Sequence, residues 1–210
     1  MKLYYHPVSS YSQKALVALY EKEITFEPVV IQLMDPAARL AFRQIYPLGK
    51  VPYLVLDDGT GLGESSTIIE HIDLHFPTGT RLVPSDPDAA IRARQRERGI
   101  DLYVNDTMGK IFFDGMRAEN ERDPRGVRIA KETLDIMYPL MNEKLEGQQW
   151  AMGDSFSIVD CAAAPALGYA RMVHPFAQYP HLSAYADRLA ARPSYKRVLA
   201  DAAPFMKMFR

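Results

Sequence analysis

This chain is short of cysteine. Its 210 residues include one, Cys161, which excludes an internal disulfide and a cysteine-built metal site. No apolar run approaches the roughly 18 residues that cross a bilayer. The segment from Met1 to Pro7 lacks an apolar core of signal-peptide length. Charge of one sign is also missing. With 25 Lys and Arg against 26 Asp and Glu, the net charge is −1, which gives no electrostatic reason to bind nucleic acid or an anionic membrane. Arg92, Arg94, Arg96 and Arg98 form a basic run, but helical spacing spreads them around the axis, with Glu97 and Asp101 as partners. Among the five histidines, His71 and His75 lie at i, i+4 without a third ligand nearby, so no metal is expected. There is no repeat and no low-complexity tract. These absences leave a globular protein expected in the cytoplasm.

What is present suits a sizeable core, because 48% of residues are hydrophobic and 24% charged. Residues 1–76 alternate strand and helix signals. Leu3-Tyr4-Tyr5 reads as a first strand, and Ser12 to Glu21 as a helix turning Ala15, Leu16, Leu19 and Tyr20 inward. Phe26 to Leu33 reads as a second strand and Pro36 to Gln44 as a short helix. Pro52 to Leu56 reads as a buried strand, Asp57-Asp58-Gly59 as a hairpin turn. Ile68, Ile69, Ile72 and Phe76 mark a helix, with Ser65 where its N-cap belongs. An α/β domain over residues 1–77 follows.

Turn formers fill residues 78–87, the expected linker. From residue 88 to residue 210 strand signals vanish, and an all-α helical bundle is expected. Val104, Met108, Ile111 and Phe112 define one helical face; Ala130, Leu134, Met137, Tyr138, Met141 and Leu145 define another, stopped by Gly147. Ser157 and Asp160 form a capping box for the next helix, and Pro193 opens the last. Pro139 and Pro165 fall inside helices, where kinks are expected.

Two stretches carry chemistry. Val51-Pro52 puts a proline at a strand start behind a β-branched residue, where a cis bond is expected to turn the Val51 backbone toward an extended peptide. Shortly after, the helix start at Glu64-Ser65 offers N–H groups, a hydroxyl and a dipole to a carboxylate, with Glu64 placed for an ammonium. A site that pairs with a short peptide and grips a free α-amino acid end suits glutathione. In Ser9-Ser10-Tyr11-Ser12, at a strand end and helix start, a hydroxyl can donate to a bound thiol and favour its thiolate. Ser9 and Ser10 both stand as catalytic candidates.

Four segments in order resemble motifs of the cytosolic glutathione S-transferases, of the bacterial serine type. They are Lys2 to Ser12, Tyr46 to Pro52, Gly153 to Asp160, and Tyr179-Pro180-His181-Leu182 followed by Arg188 and Arg192-Pro193-Ser194. The resemblance implies a thioredoxin-like N-terminal domain and a helical C-terminal one. It implies glutathione as co-substrate, with Ser9 ahead of Ser10 at the sulfur and Lys50 on the glycine carboxylate. Val51 and Pro52 would take the cysteinyl backbone, Glu64 and Ser65 the γ-glutamyl end; Gln32 and His6 are further contacts. An apolar electrophile would meet Tyr11, Met108, Phe112 and Tyr169, with Phe113, Met116, Met172 and His174 near. A homodimer is implied too, formed by the helices near 65–76 and 88–116, with Asp101 or Asn105 completing the partner's site.

Tyr46 stands where the family usually has Asn, which leaves the subclass open. A maleylacetoacetate isomerase-like activity is a second reading, against which Tyr11, Gln13 and Lys14 depart from that pattern. Ether cleavage, dehalogenation and a non-catalytic ligand-binding or adaptor role are further alternatives.

Overall fold

The computed structural model describes residues 1–206, which fall into two compact units. One is Met1–Val83 joined by the segment from Pro193; the other is Pro84–Arg192.

In the first unit, β1 (Lys2–Tyr5), α1 (Ser10–Glu21) and β2 (Glu27–Val30) form a parallel crossover. After α2 (Pro36–Ile45), β3 (Tyr53–Val55) and β4 (Gly61–Leu62) form a hairpin, and α3 (Ser65–His75) follows. The sheet order is β2-β1-β3-β4, with β3 antiparallel to β1. Leu3 lies opposite Leu54, both fully buried, so the middle of the sheet is sealed. The second strand is shorter than the apolar run suggested, Glu27–Val30 rather than Phe26 to Leu33, and Pro28 keeps it at the edge.

α1 is buried far beyond the one inward stripe that its periodicity predicts: every residue from Ser12 to Leu19 is buried. The reason is a second cover. α9 (Pro193–Met206) packs on α1, and α3 packs on it as well. Tyr20 donates to Asp201 Oδ2 at 3.1 Å, and the Arg197 guanidinium lies 4.0 Å over the Tyr20 ring. α9 thus groups with the first unit rather than with Pro84–Arg192.

The stretch after α3 is tied down. Thr80 N donates to Glu21 O at 2.9 Å, Thr78 Oγ1 to Lys22 O at 2.7 Å, and the Leu82 and Val83 amides each to Asp73 at 2.9 Å. Gly79 has φ +62, and a Cβ there would lie 2.1 Å from Glu21 O.

In the second unit, α4 (Pro87–Ile100), a π-helical segment (Asp101–Asn105) and α5 (Asp106–Gly115) form one continuous run. α6 (Pro124–Lys144), α7 (Ile158–Val173) and α8 (Pro180–Ala191) complete it. Helix starts repeat one device: Asp86-Pro87 and Asp123-Pro124, like Asp35-Pro36 in the first unit, cap with a carboxylate and preset φ with proline. α6 and α7 continue through Pro139 and Pro165. The expected capping box is present, and Asp160 sits fully buried in it. It accepts from Ser157 N and Oγ at 2.8 Å each, Ala151 N at 2.9 Å and Tyr185 OH at 2.6 Å. Burial pushes this carboxyl upward in pKa, while the four bonds oppose the shift. Among the described residues no helix is long and apolar enough to cross a membrane.

Candidate functional site

The sheet register gathers three segments of the first unit at one end. Tyr4 opposite Tyr53 means that the chain leaving β1 passes the chain entering β3 at Val51-Pro52. Leu54 opposite Leu62 likewise carries Glu64 beside Pro52. The loop before α1, the loop before β3 and the start of α3 thus converge.

Ser9 is the N-cap of α1, in extended geometry, and its Oγ accepts the Ser12 amide at 3.3 Å. That bond uses the oxygen and leaves the hydroxyl hydrogen to donate elsewhere. Ser10 is the first helical residue, half-buried beside it. No acidic side chain stands in the first turn to offset the positive end of the dipole. The loop is braced from within. Ser12 Oγ accepts His6 N at 3.3 Å, and Gln13 Nε2 donates to Pro7 O at 2.8 Å. His6 Nδ1 accepts Val8 N at 3.3 Å, and the ring meets Phe205 edge-on at 5.5 Å. His6 is 3% exposed, and burial lowers its pKa.

The Val51-Pro52 bond is cis. Lys50 precedes it, exposed, after a turn in which Gly49 takes φ 61 and donates to Tyr46 O at 2.8 Å. Tyr46 stacks on Tyr53, ring centroids 4.2 Å apart at 8°. Its phenol reaches over Gly63, where a Cβ would lie 2.5 Å from the hydroxyl. Burial raises the Tyr46 pKa, and the Glu64 charge adds to it. The residue in the Asn position is therefore an aromatic wedge against the start of α3. Its signal in the sequence was the pairing of Tyr46 and Tyr53 with Gly61 and Gly63, the only residue type that leaves room for the rings.

Ser65 is not the cap of α3. The cap is Glu64, exposed, with φ 62 and no side-chain cap bond, and Ser65 is the first helical residue, 4% exposed. The difference is physical: a serine N-cap would have consumed amides that this arrangement leaves uncapped by any side chain. One residue on, Ser66 Oγ accepts from Lys14 Nζ at 3.0 Å, and Lys14 is 1% exposed. In the sequence Lys14 stands out only as a departure from the isomerase-like pattern. Gln32 is exposed beyond β2.

Of the electrophile-site candidates, Tyr11 lies half-buried in α1 of the first unit. In the second unit Phe112 and Tyr169 meet at 6.3 Å, Phe112 touches Phe113 at 5.4 Å, and Met108 is buried at 4% exposure. Met116 and Met172 stand exposed, and His174 Nε2 is 2.8 Å from Asp135. Asp101 is half-buried in the π-helical segment; Asn105 is buried there, its Oδ1 without a hydrogen-bond partner. Among the described residues no three His, Cys, Asp or Glu side chains gather as metal ligands.

Residues 3–80 match the family described as Glutathione S-transferase, N-terminal domain, and residues 104–193 the Glutathione S-transferase, C-terminal domain. The chain is 31% identical over 198 residues to a Stringent starvation protein A homolog of Coxiella burnetii, covering 93% of this chain and 84% of the relative. It is 26% identical over 205 residues to Glutathione S-transferase GstA of Escherichia coli O157:H7, covering 95% and 98%. A solved glutathione S-transferase of Methylobacillus flagellatus, with glutathione bound, superposes with TM-score 0.85 at 31% identity, covering 94% and 98%.

Proposed function

This chain belongs to the glutathione S-transferase family, and from that premise we propose that it ionises glutathione for attack on an apolar electrophile, in a detoxifying role in the cytoplasm. The carrying observation is the placement of Ser9, whose oxygen is taken by the Ser12 amide while its hydrogen stays available at an uncompensated helix N-terminus. A sulfur held there gains a hydrogen bond and the dipole only as thiolate. A thiol of pKa ~8.5 is ~3% ionised at pH 7, and at ~6.5 roughly three-quarters. The lower pKa blunts intrinsic nucleophilicity, so the rate gains less than the ~25-fold population change.

In this reading Lys50 takes the glycine carboxylate, Val51 and Pro52 face the cysteinyl backbone, and Glu64 with Ser65 holds the γ-glutamyl end. Tyr11, Met108, Phe112 and Tyr169 supply the electrophile pocket, and two chains form a homodimer. The alternative reading is a non-catalytic ligand-binding member that binds glutathione without turnover.

The test pairs retention on immobilised glutathione with conjugation of a chloronitrobenzene at pH 7. Ser9→Ala should be retained but about tenfold or more slower, since it removes a donor aimed at the developing thiolate. If Ser10→Ala alone slows the reaction, the role passes to Ser10. Rates unchanged in both variants would sink serine activation, and retention without turnover on any electrophile would favour the binding reading.

A further inference from the structure

The first unit holds a second concavity, a cavity of about 810 Å³ that is lined by none of Ser9, Lys50, Val51 and Glu64. α9 forms one wall; the end of α1 and the edge strand β2 contribute to the other. Four half-buried rings line it, Tyr5, Tyr20, Phe26 and Phe205. Arg197 and Asp201, one turn apart on α9, line it too and stand exposed. A volume of this order suits a small organic molecule.

The wall already holds one cation. The Arg197 guanidinium lies 4.0 Å over the Tyr20 ring, an attraction between a positive charge and a π face. Asp201 Oδ2 accepts the Tyr20 hydroxyl at 3.1 Å, and a carboxylate has acceptor capacity beyond one such bond. Burial first and the Asp201 charge second raise the pKa of both Tyr5 and Tyr20, the latter to about 12. The negative field of Asp201 therefore reaches the rings, while Arg197 opposes it at Tyr20. Glu23 adds a second carboxylate to the lining, so acids outnumber bases two to one.

We propose that this cavity binds a lipophilic organic cation, an ammonium on an aromatic body, with Asp201 as its counter-ion and the rings of Tyr5, Phe26 and Phe205 around the body. An anion of the same shape would meet two carboxylates and a guanidinium already engaged by Tyr20. The inference goes beyond the glutathione reading and does not rest on it.

The experiment titrates the full chain at low ionic strength with three probes that share one body: naphthylethylamine, naphthylethanol and naphthylpropanoate. The amine should bind tightest, the alcohol about fivefold weaker and the propanoate weaker still, the scale of one exposed ion pair with a cation–π contact. Asp201→Asn should bring the amine within about twofold of the alcohol and leave the alcohol unchanged. Ala200→Trp, which builds an indole into the cavity wall, should weaken both about tenfold or more. Saturating glutathione should leave the amine affinity as it was. The proposal is overturned if wild type fails to bind the amine, or if the alcohol or the propanoate binds as tightly. Amine binding untouched by either substitution, or displaced by glutathione, would overturn it as well. Should Asp201→Asn fail to fold, the ranking of the three probes together with Ala200→Trp decides.

Discussion

Lys22 and Asp73 form an ion pair sealed inside the first unit: Nζ stands 3.1 Å from Oδ1, and 2% and 4% of the two side chains are exposed. Asp73 also accepts the amides of Leu82 and Val83 at 2.9 Å. One carboxylate thus joins the end of α1, the body of α3 and the chain that leaves them.

Asp73→Ala strands the Lys22 ammonium and two amides, and should cost about 3–5 kcal/mol. Lys22→Met should cost less, because Asp73 keeps its two backbone donors. Urea unfolding of both variants checks the order; the reverse ranking would show that the amides, not the pair, carry little of the stabilisation.

At Glu64 stability and binding should separate. Its φ of 62 is a conformation that costs an L residue about 1 kcal/mol and glycine little. Glu64→Gly should therefore hold or raise the melting temperature while weakening glutathione binding, since the carboxylate proposed to meet the ammonium is gone. Glu64→Ala should weaken binding without the gain in stability. A glycine variant that binds glutathione as wild type does would remove Glu64 from the site.

Acid should act early on this fold. Burial lowers the pKa of both His6 and His71 from 6.5, so the unfolded chain binds protons that the native chain does not. Stability is then fully present above about pH 6.5 and is lost as pH falls toward the depressed native values. Unfolding free energy should drop from pH 7 to pH 5, before most carboxylates titrate. His6→Asn, which keeps an acceptor for the Val8 amide, should flatten part of that slope. A pH-independent stability across this window would contradict the assignment.

A homodimer of about twice 23.7 kDa is expected by light scattering at micromolar concentration. Leu74 on α3 and Ile91 on α4 stand 77% and 63% exposed, on elements for which the family relationship implies a two-fold contact. Asp101→Lys should weaken glutathione binding at both sites, because symmetry repeats each contact. Asn105 is a poorer candidate for reaching a partner, being buried at 5% exposure. A monomeric mass with full activity would end this reading.

The sequence alone determined the strand and helix order, the serine-bearing turn, the Gly49 to Pro52 loop and the Ser157–Asp160 box. Each depends on residues close in the chain: a proline presets its own φ, a glycine frees one, and a cap spans three positions. Tertiary structure decided the rest. Nothing local says that α9 returns to cover α1, because that depends on an apolar surface about 180 residues earlier in the chain needing a second lid. Nor does anything local make Glu64 instead of Ser65 the cap of α3. There the hairpin register and the Tyr46 wedge over Gly63 accompany a backbone conformation that local preference alone would refuse. Lys14 and Lys22 are buried by packing that no local pattern announces. Their partners, Ser66 and Asp73, lie 52 and 51 residues away, a pairing that only the folded chain can make.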